Sequence, residues 1–255
     1  MQKRGQVTLF IILGLVIVIL AALYFFVAKP YVLPVSQEDL NKDMLNIEED
    51  IQNCLEQVSE EPFKRISLQG GYLATPSGSY RLYADSRVSY LCYNLPGKAN
   101  CYNRMLLIKS MEQELAEAIT NELPTCLNVN KFSQLKPYTV STPKKPIVTV
   151  SIRNSDSVIT LDYPVRLTSK RSPTNVEKSS FEKVLTIPLG RLYDVSQEIV
   201  NQETEFGTFE TLYYMLSKKG EIKVYLQKPY PDKIYQIKHQ NSDYIFQFAI
   251  EGEPS

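Results

Sequence analysis

Residues 7–28 read VTLFIILGLVIVILAALYFFVA, twenty-two positions without one charged side chain. At about 1.5 Å of rise per residue this run makes a helix of roughly 33 Å, enough to cross the hydrocarbon core of a bilayer. Lys3 and Arg4 stand before it, only Lys29 follows closely, and the stretch beyond is acidic. Orientation follows Lys and Arg near the ends of a span, so the expectation is a single-pass protein of the cell membrane. Its N-terminus would be cytoplasmic and the bulk of the chain extracellular. A cleaved secretory signal has a shorter apolar core of about 7–15 residues, followed by small residues at the cut. Here the best cleavage candidate, Phe26-Val27-Ala28, carries a bulky Phe where a small residue is wanted. The reading is a retained anchor, with the lipid bilayer as partner of Val7 to Ala28.

At the start of the run, Lys3-Arg4-Gly5-Gln6-Val7-Thr8-Leu9-Phe10 resembles the class III signal of archaeal type IV pilin-like proteins. The resemblance implies a peptidase cut between Gly5 and Gln6 that leaves the apolar helix on the mature protein. Thr8 sits where that family favours Ser, and Phe10 where it usually has Glu. Without the Glu no charge is buried in apolar surroundings, and the helix reads as a tether more than a filament spine. Pro30 and Pro34, in a collar at 29–35, cannot continue a regular helix and point the same way. Further along, Cys54-Leu55-Glu56, Leu68-Gln69-Gly70-Gly71-Tyr72, Leu123-Pro124-Thr125-Cys126 and Asp162-Tyr163-Pro164 follow in an order similar to uncharacterised single-pass membrane proteins of small-genome archaea. That resemblance implies an architecture and no activity.

After the anchor, Ser36 reads as an N-cap, with Glu38 and Asp39 in the first turn. Leu40, Met44, Ile47, Ile51, Cys54, Leu55 and Val58 recur at steps of three and four, so an amphipathic helix is expected to about Glu60. Its many acids read as a solvated outer face, because no Asp-rich loop has calcium-ligand spacing. Short strands are expected at 81–83 and 88–93, a turn at Pro96-Gly97-Lys98, and a second helix from Arg104 to about Asn121. Residues 128–146 are polar, contain three prolines, and read as a linker between a cysteine-bearing helical lobe (36–127) and a β-rich lobe (147–255).

In the second lobe, 147–152 and 159–167 alternate as strands around an Asn154-Ser155-Asp156 turn, and another strand is expected at 184–187. A helix opening at Pro188 is expected to continue past Gly207 to Lys219-Gly220. Three strands then close the chain, the last placing Tyr244, Phe246, Phe248 and Ile250 on one face. Asn241-Ser242-Asp243 repeats the earlier turn, a shared turn chemistry and not a duplication. The fold class is therefore α+β: an N-terminal transmembrane helix, then an extracytoplasmic domain of antiparallel strands packed by helices.

Lys+Arg and Asp+Glu are equal at 28 each, which leaves no electrostatic footprint for nucleic acid. Tyr is abundant at 17 while Trp is absent, which suits strands with one half-wet face. None of the four cysteines stands in a CxxC pair, which argues against a zinc ribbon. An extracellular domain permits disulfides; four cysteines allow three connectivities, of which the expected one joins Cys92 to Cys101 across a turn and Cys54 to Cys126 as a staple between the two helices. Buried thiols are the alternative, suited to a cytoplasmic domain. His239 is the only histidine, and no nucleophile elbow, dinucleotide or phosphate-loop motif is present. Asp156, Asp162, Asp194 and Glu198 are carboxylates of a kind every soluble domain offers. No catalytic, cofactor-binding or metal-ligating residue and no small-molecule ligand is expected. The functional expectation is a non-enzymatic surface protein presenting its domain for interaction or assembly. The alternatives are a processed pilin-like filament subunit starting at Gln6 and an anchored cell-envelope enzyme.

Overall fold

Ser36 opens the first helix of the domain through a reciprocal capping box. Its hydroxyl accepts the Asp39 N–H at 3.1 Å, and the Asp39 carboxylate accepts the Ser36 N–H at 3.3 Å. In the computed structural model, which describes residues 4–27, 36–95, 101–133, 137–170 and 173–252, this helix is α2, Gln37–Leu68. It follows α1, Arg4–Val27, whose side chains are described for residues 12–24. Among the described residues no helix is long and apolar enough to cross a membrane. The proline collar at 29–35 and the Pro96-Gly97-Lys98 turn lie outside the described residues.

α2 runs past the expected end at Glu60 and carries Pro62 inside it. An interior proline costs about 3 kcal/mol. Phe63 and Ile66 beyond it are both 0 % exposed, and burying such side chains returns about 1.5–3 kcal/mol each. The tertiary core offsets the proline, so the helix continues.

Five further strands and helices follow in the first part of the chain: β1 (Tyr80–Tyr83), β2 (Ser86–Tyr93), β3 (Tyr102–Asn103), α3 (Ile108–Glu122) and β4 (Tyr138–Ser141). α3 begins four residues later than expected because Arg104 still donates its N–H to Leu91 O at 2.8 Å beside β3. β5 (Ile147–Ile152), β6 (Ser157–Ser169) and β7 (Asn175–Leu185) come next, then α4 (Leu189–Phe206), α5 (Thr211–Ser217), β8 (Ile222–Gln227), β9 (Lys233–His239) and β10 (Ile245–Ile250). The continuous helix expected across Gly207 is corrected to two, because Gly207 takes φ 69° and caps α4.

Among the described residues the strands form two sheets. One has the order β1-β2-β10-β9-β8, with β3 beside β2. In the other, β7 pairs with one edge of β6 along most of its length, leaving β4 and β5 end to end on the opposite edge. The pairs are antiparallel except β10 with β2, which is parallel. This pair corrects the expected purely antiparallel arrangement, and it joins an early strand to the last one.

The two-lobe reading does not survive that pairing. One hydrophobic cluster runs from Leu40 to Ile250 and draws on α2, α3, α4 and both sheets. The 128–146 stretch is not a linker but carries β4, with Val129 and Tyr138 buried at 4 % and 1 % exposure. β7, only its end expected from sequence, is largely polar. Its Lys178 and Lys183 pair with Glu48 and Glu56 of α2 at 2.6 and 2.5 Å, so part of the acidic face of α2 is an ionic seam.

Candidate functional site

Both cysteine pairs are at disulfide distance. Cys54 and Cys126 join α2 to the short 3-10 turn after α3, with Cα atoms 5.6 Å apart, and Cys92 and Cys101 join β2 to the approach of β3 at 5.3 Å. No free cysteine occurs among the described residues. Gly5 and Gln6 fall within α1, and their side chains lie outside the described residues.

Three open depressions follow one seam, where the second half of α2, the end of β7 and the turn before β10 diverge, and another, of about 490 Å³, lies elsewhere, between α2 and α3. The first, of about 370 Å³, lies between Lys64 and Leu68 of α2 and the Asp243-Tyr244-Ile245 segment. The second, of about 460 Å³, shares Glu60 and Tyr244 with it and is closed on the other side by residues 183–187. Consecutive residues line it there, so it meets the chain along its edge and not across one face. The third, of about 330 Å³, shares Thr186 with the second and contains His239. Tyr244 stands between the first two. Burial, and then the Glu60 charge, push its phenol above the ordinary range.

Two buried carboxylates outside this seam concentrate charge. Glu203 of α4, 2 % exposed, accepts from the Lys233 ammonium at 2.6 Å and from the Tyr235 hydroxyl. Lys233 also donates to Gly207 O at 2.7 Å, so the cluster closes the end of α4 onto β9. Burial and the hydrogen bond to Glu203 hold the Tyr235 phenol well above its usual range. Asp232, 3 % exposed, accepts from Arg81 at 2.6 Å, from the Tyr90 hydroxyl at 2.8 Å and from the Gly252 N–H at 3.0 Å. Neither carboxylate lines a seam depression, and each has its donors in place. Their chemistry is that of ties between elements.

The sequence-level carboxylates are not gathered into a catalytic pair at the seam. Asp156 pairs with Arg153 and Glu198 with Lys218, each at 3.6 Å, and none of Asp156, Asp162, Asp194 and Glu198 lines the three depressions. Among the described residues no group of three His, Cys, Asp or Glu side chains is placed to hold a metal ion. His239 does gain company. Its Nδ1 accepts the Asn241 N–H at 3.2 Å, and its depression also includes Asn154, Ser155 and Ser242 from the two repeated turns. The repeat was visible in the sequence; its convergence was not, because the turns belong to different sheets. α4 helps fix the site. Gly190 donates its N–H to Arg153 O at 3.1 Å, an approach so close that a Cβ there would stand 2.7 Å from that oxygen.

No protein-family model matches the chain, and neither a curated protein nor a solved structure matches it.

Proposed function

We propose that this chain is a single-pass membrane protein, held by Val7 to Ala28, that presents its α+β domain outside the cell for interaction or assembly and not for catalysis. The observation that carries this reading is α1, which holds most of the uncharged run of residues 7–28; its described side chains, residues 12–24, are by themselves too few to span a bilayer. It has no charged residue after Arg4, and the large apolar side chains described along it, from Ile12 to Tyr24, are 45–71 % exposed. Leaving apolar surface in water costs about 25 cal/mol per Å², and a bilayer removes that cost for a helix apolar on every side. The two cysteine pairs support an oxidising compartment for the domain.

The test is fractionation of cells expressing the full chain, followed by protease added to intact cells. The chain should stay with membranes after alkaline carbonate washing and lose its domain to external protease. Recovery in the soluble fraction, or a protected domain with reduced cysteines, overturns the reading. Intact mass of the same preparation separates the filament-subunit alternative, which requires a mature chain beginning at Gln6.

A further inference from the structure

The two turns repeated in the sequence, Asn154-Ser155-Asp156 and Asn241-Ser242-Asp243, meet at one open depression of about 330 Å³ that also holds His239, Thr186 and Pro188. Each turn neutralises its own aspartate: Arg153 pairs with Asp156 at 3.6 Å and Lys238 with Asp243 at 3.0 Å. These pairs stand outside the depression, whose lining includes no Asp, Glu, Lys or Arg.

The lining instead offers a set of uncommitted neutral groups. The carboxamides of Asn154 and Asn241 and the hydroxyl of Thr186 have no hydrogen-bond partner among the described residues. Ser242 Oγ accepts the Tyr244 N–H at 3.2 Å, which leaves its own O–H to donate. His239 Nδ1 is occupied as an acceptor by the Asn241 N–H, so Nε2–H is a donor. Pro188 is buried and gives the depression an apolar floor.

We propose that this depression binds a neutral saccharide, one ring of a glycan chain. Vicinal sugar hydroxyls present paired donors and acceptors without charge, which is what two carboxamides, two hydroxyls and an imidazole N–H complement. The apolar face of a sugar ring suits the proline. The volume lies at the small end of the range of about 300–1,000 Å³ typical of small-ligand sites, fitting a single ring. An anion finds no Lys or Arg in the lining, and a metal ion finds no carboxylate. The site goes beyond the anchored-surface reading and does not depend on it, since its chemistry is the same whether or not α1 spans a membrane.

The experiment uses the full chain in an amine-oxide detergent, which carries no sugar headgroup. The probes are the methyl glycosides of glucose, galactose, mannose and N-acetylglucosamine, followed by saturation-transfer NMR at tens of millimolar, where even a ~10 mM site is mostly filled. At least one glycoside should bind, and Asn241→Ala should weaken it about tenfold, the loss of one well-made hydrogen bond. Thr186→Val, which keeps the side-chain shape at an exposed position, should weaken it several-fold and serves as the readout if Asn241→Ala disturbs the fold. Binding by none of the four probes overturns the proposal. So does binding that both variants leave unchanged, or competition by inorganic sulfate as strong as by sugar. Retention of the domain outside the cell is scored separately by the protease experiment, so failure of one reading is distinct from failure of the other.

Discussion

Glu203 on α4 and Lys233 on β9 form an ion pair at 2.6 Å in which the carboxylate side chain is 1 % exposed and the ammonium side chain 28 %. The asymmetry matters. The lysine can rehydrate if its partner is lost, but the Tyr235 hydroxyl, pointed at the same carboxylate, cannot. Glu203→Ala should therefore destabilise the domain by about 3 kcal/mol, the lower end expected for breaking a buried pair. Denaturant unfolding followed by tyrosine fluorescence measures this. A loss under about 1 kcal/mol would show that the cluster is ordinary surface pairing.

Alkaline pH should unfold this domain early. Seven tyrosines, Tyr72, Tyr90, Tyr138, Tyr193, Tyr214, Tyr235 and Tyr244, have phenols raised above their ordinary value of 10.0, in each case chiefly by burial. A raised folded-state pKa means stability fully present below the unfolded value and lost as pH climbs through the folded one. For Tyr138, raised to about 12 by burial and then by Asp43, the loss runs between pH 10 and 12. Tyr138→Phe should make the fall in stability over that window shallower by about 1.4 kcal/mol per pH unit, one proton's worth. Unfolding curves at stepped pH test it, and an unchanged slope would refute it.

The two disulfides should differ in worth. Cys54–Cys126 closes a sequence separation of 72 and Cys92–Cys101 one of 9. Chain-entropy estimates give about 4 and about 3 kcal/mol respectively. Paired Cys→Ser variants, compared by thermal melting, should rank in that order.

Gly190→Ala places a Cβ 2.7 Å from the carbonyl oxygen of Arg153 and 3.0 Å from Asn154 Oδ1. Backbone must move, at about 1–3 kcal/mol. The melting temperature should fall, and Asn154 should shift with it. Nuclear magnetic resonance of the Asn154 carboxamide reads this directly, and an unperturbed signal would mean that α4 and the turn move together.

Local patterning accounts for the separate elements. The three-and-four spacing from Leu40 to Val58 made α2, with Ser36 and Asp39 marking its start, and alternation made β5, whereas β10 formed where expected but is buried on both faces. These patterns need only the chain's own period and one apolar side. The tertiary structure alone decided the rest. β7 is too polar to read as a strand until Glu48 and Glu56 supply partners for its lysines. α2 crosses Pro62 because Phe63 and Ile66 find a core beyond it. β10 lies parallel to β2 across more than half the chain, which makes one body of two apparent lobes. The depression at His239 exists only because turns from different sheets come together. In each case the deciding partner is distant in sequence, and hydrophobic burial and ion pairing act on distance in space.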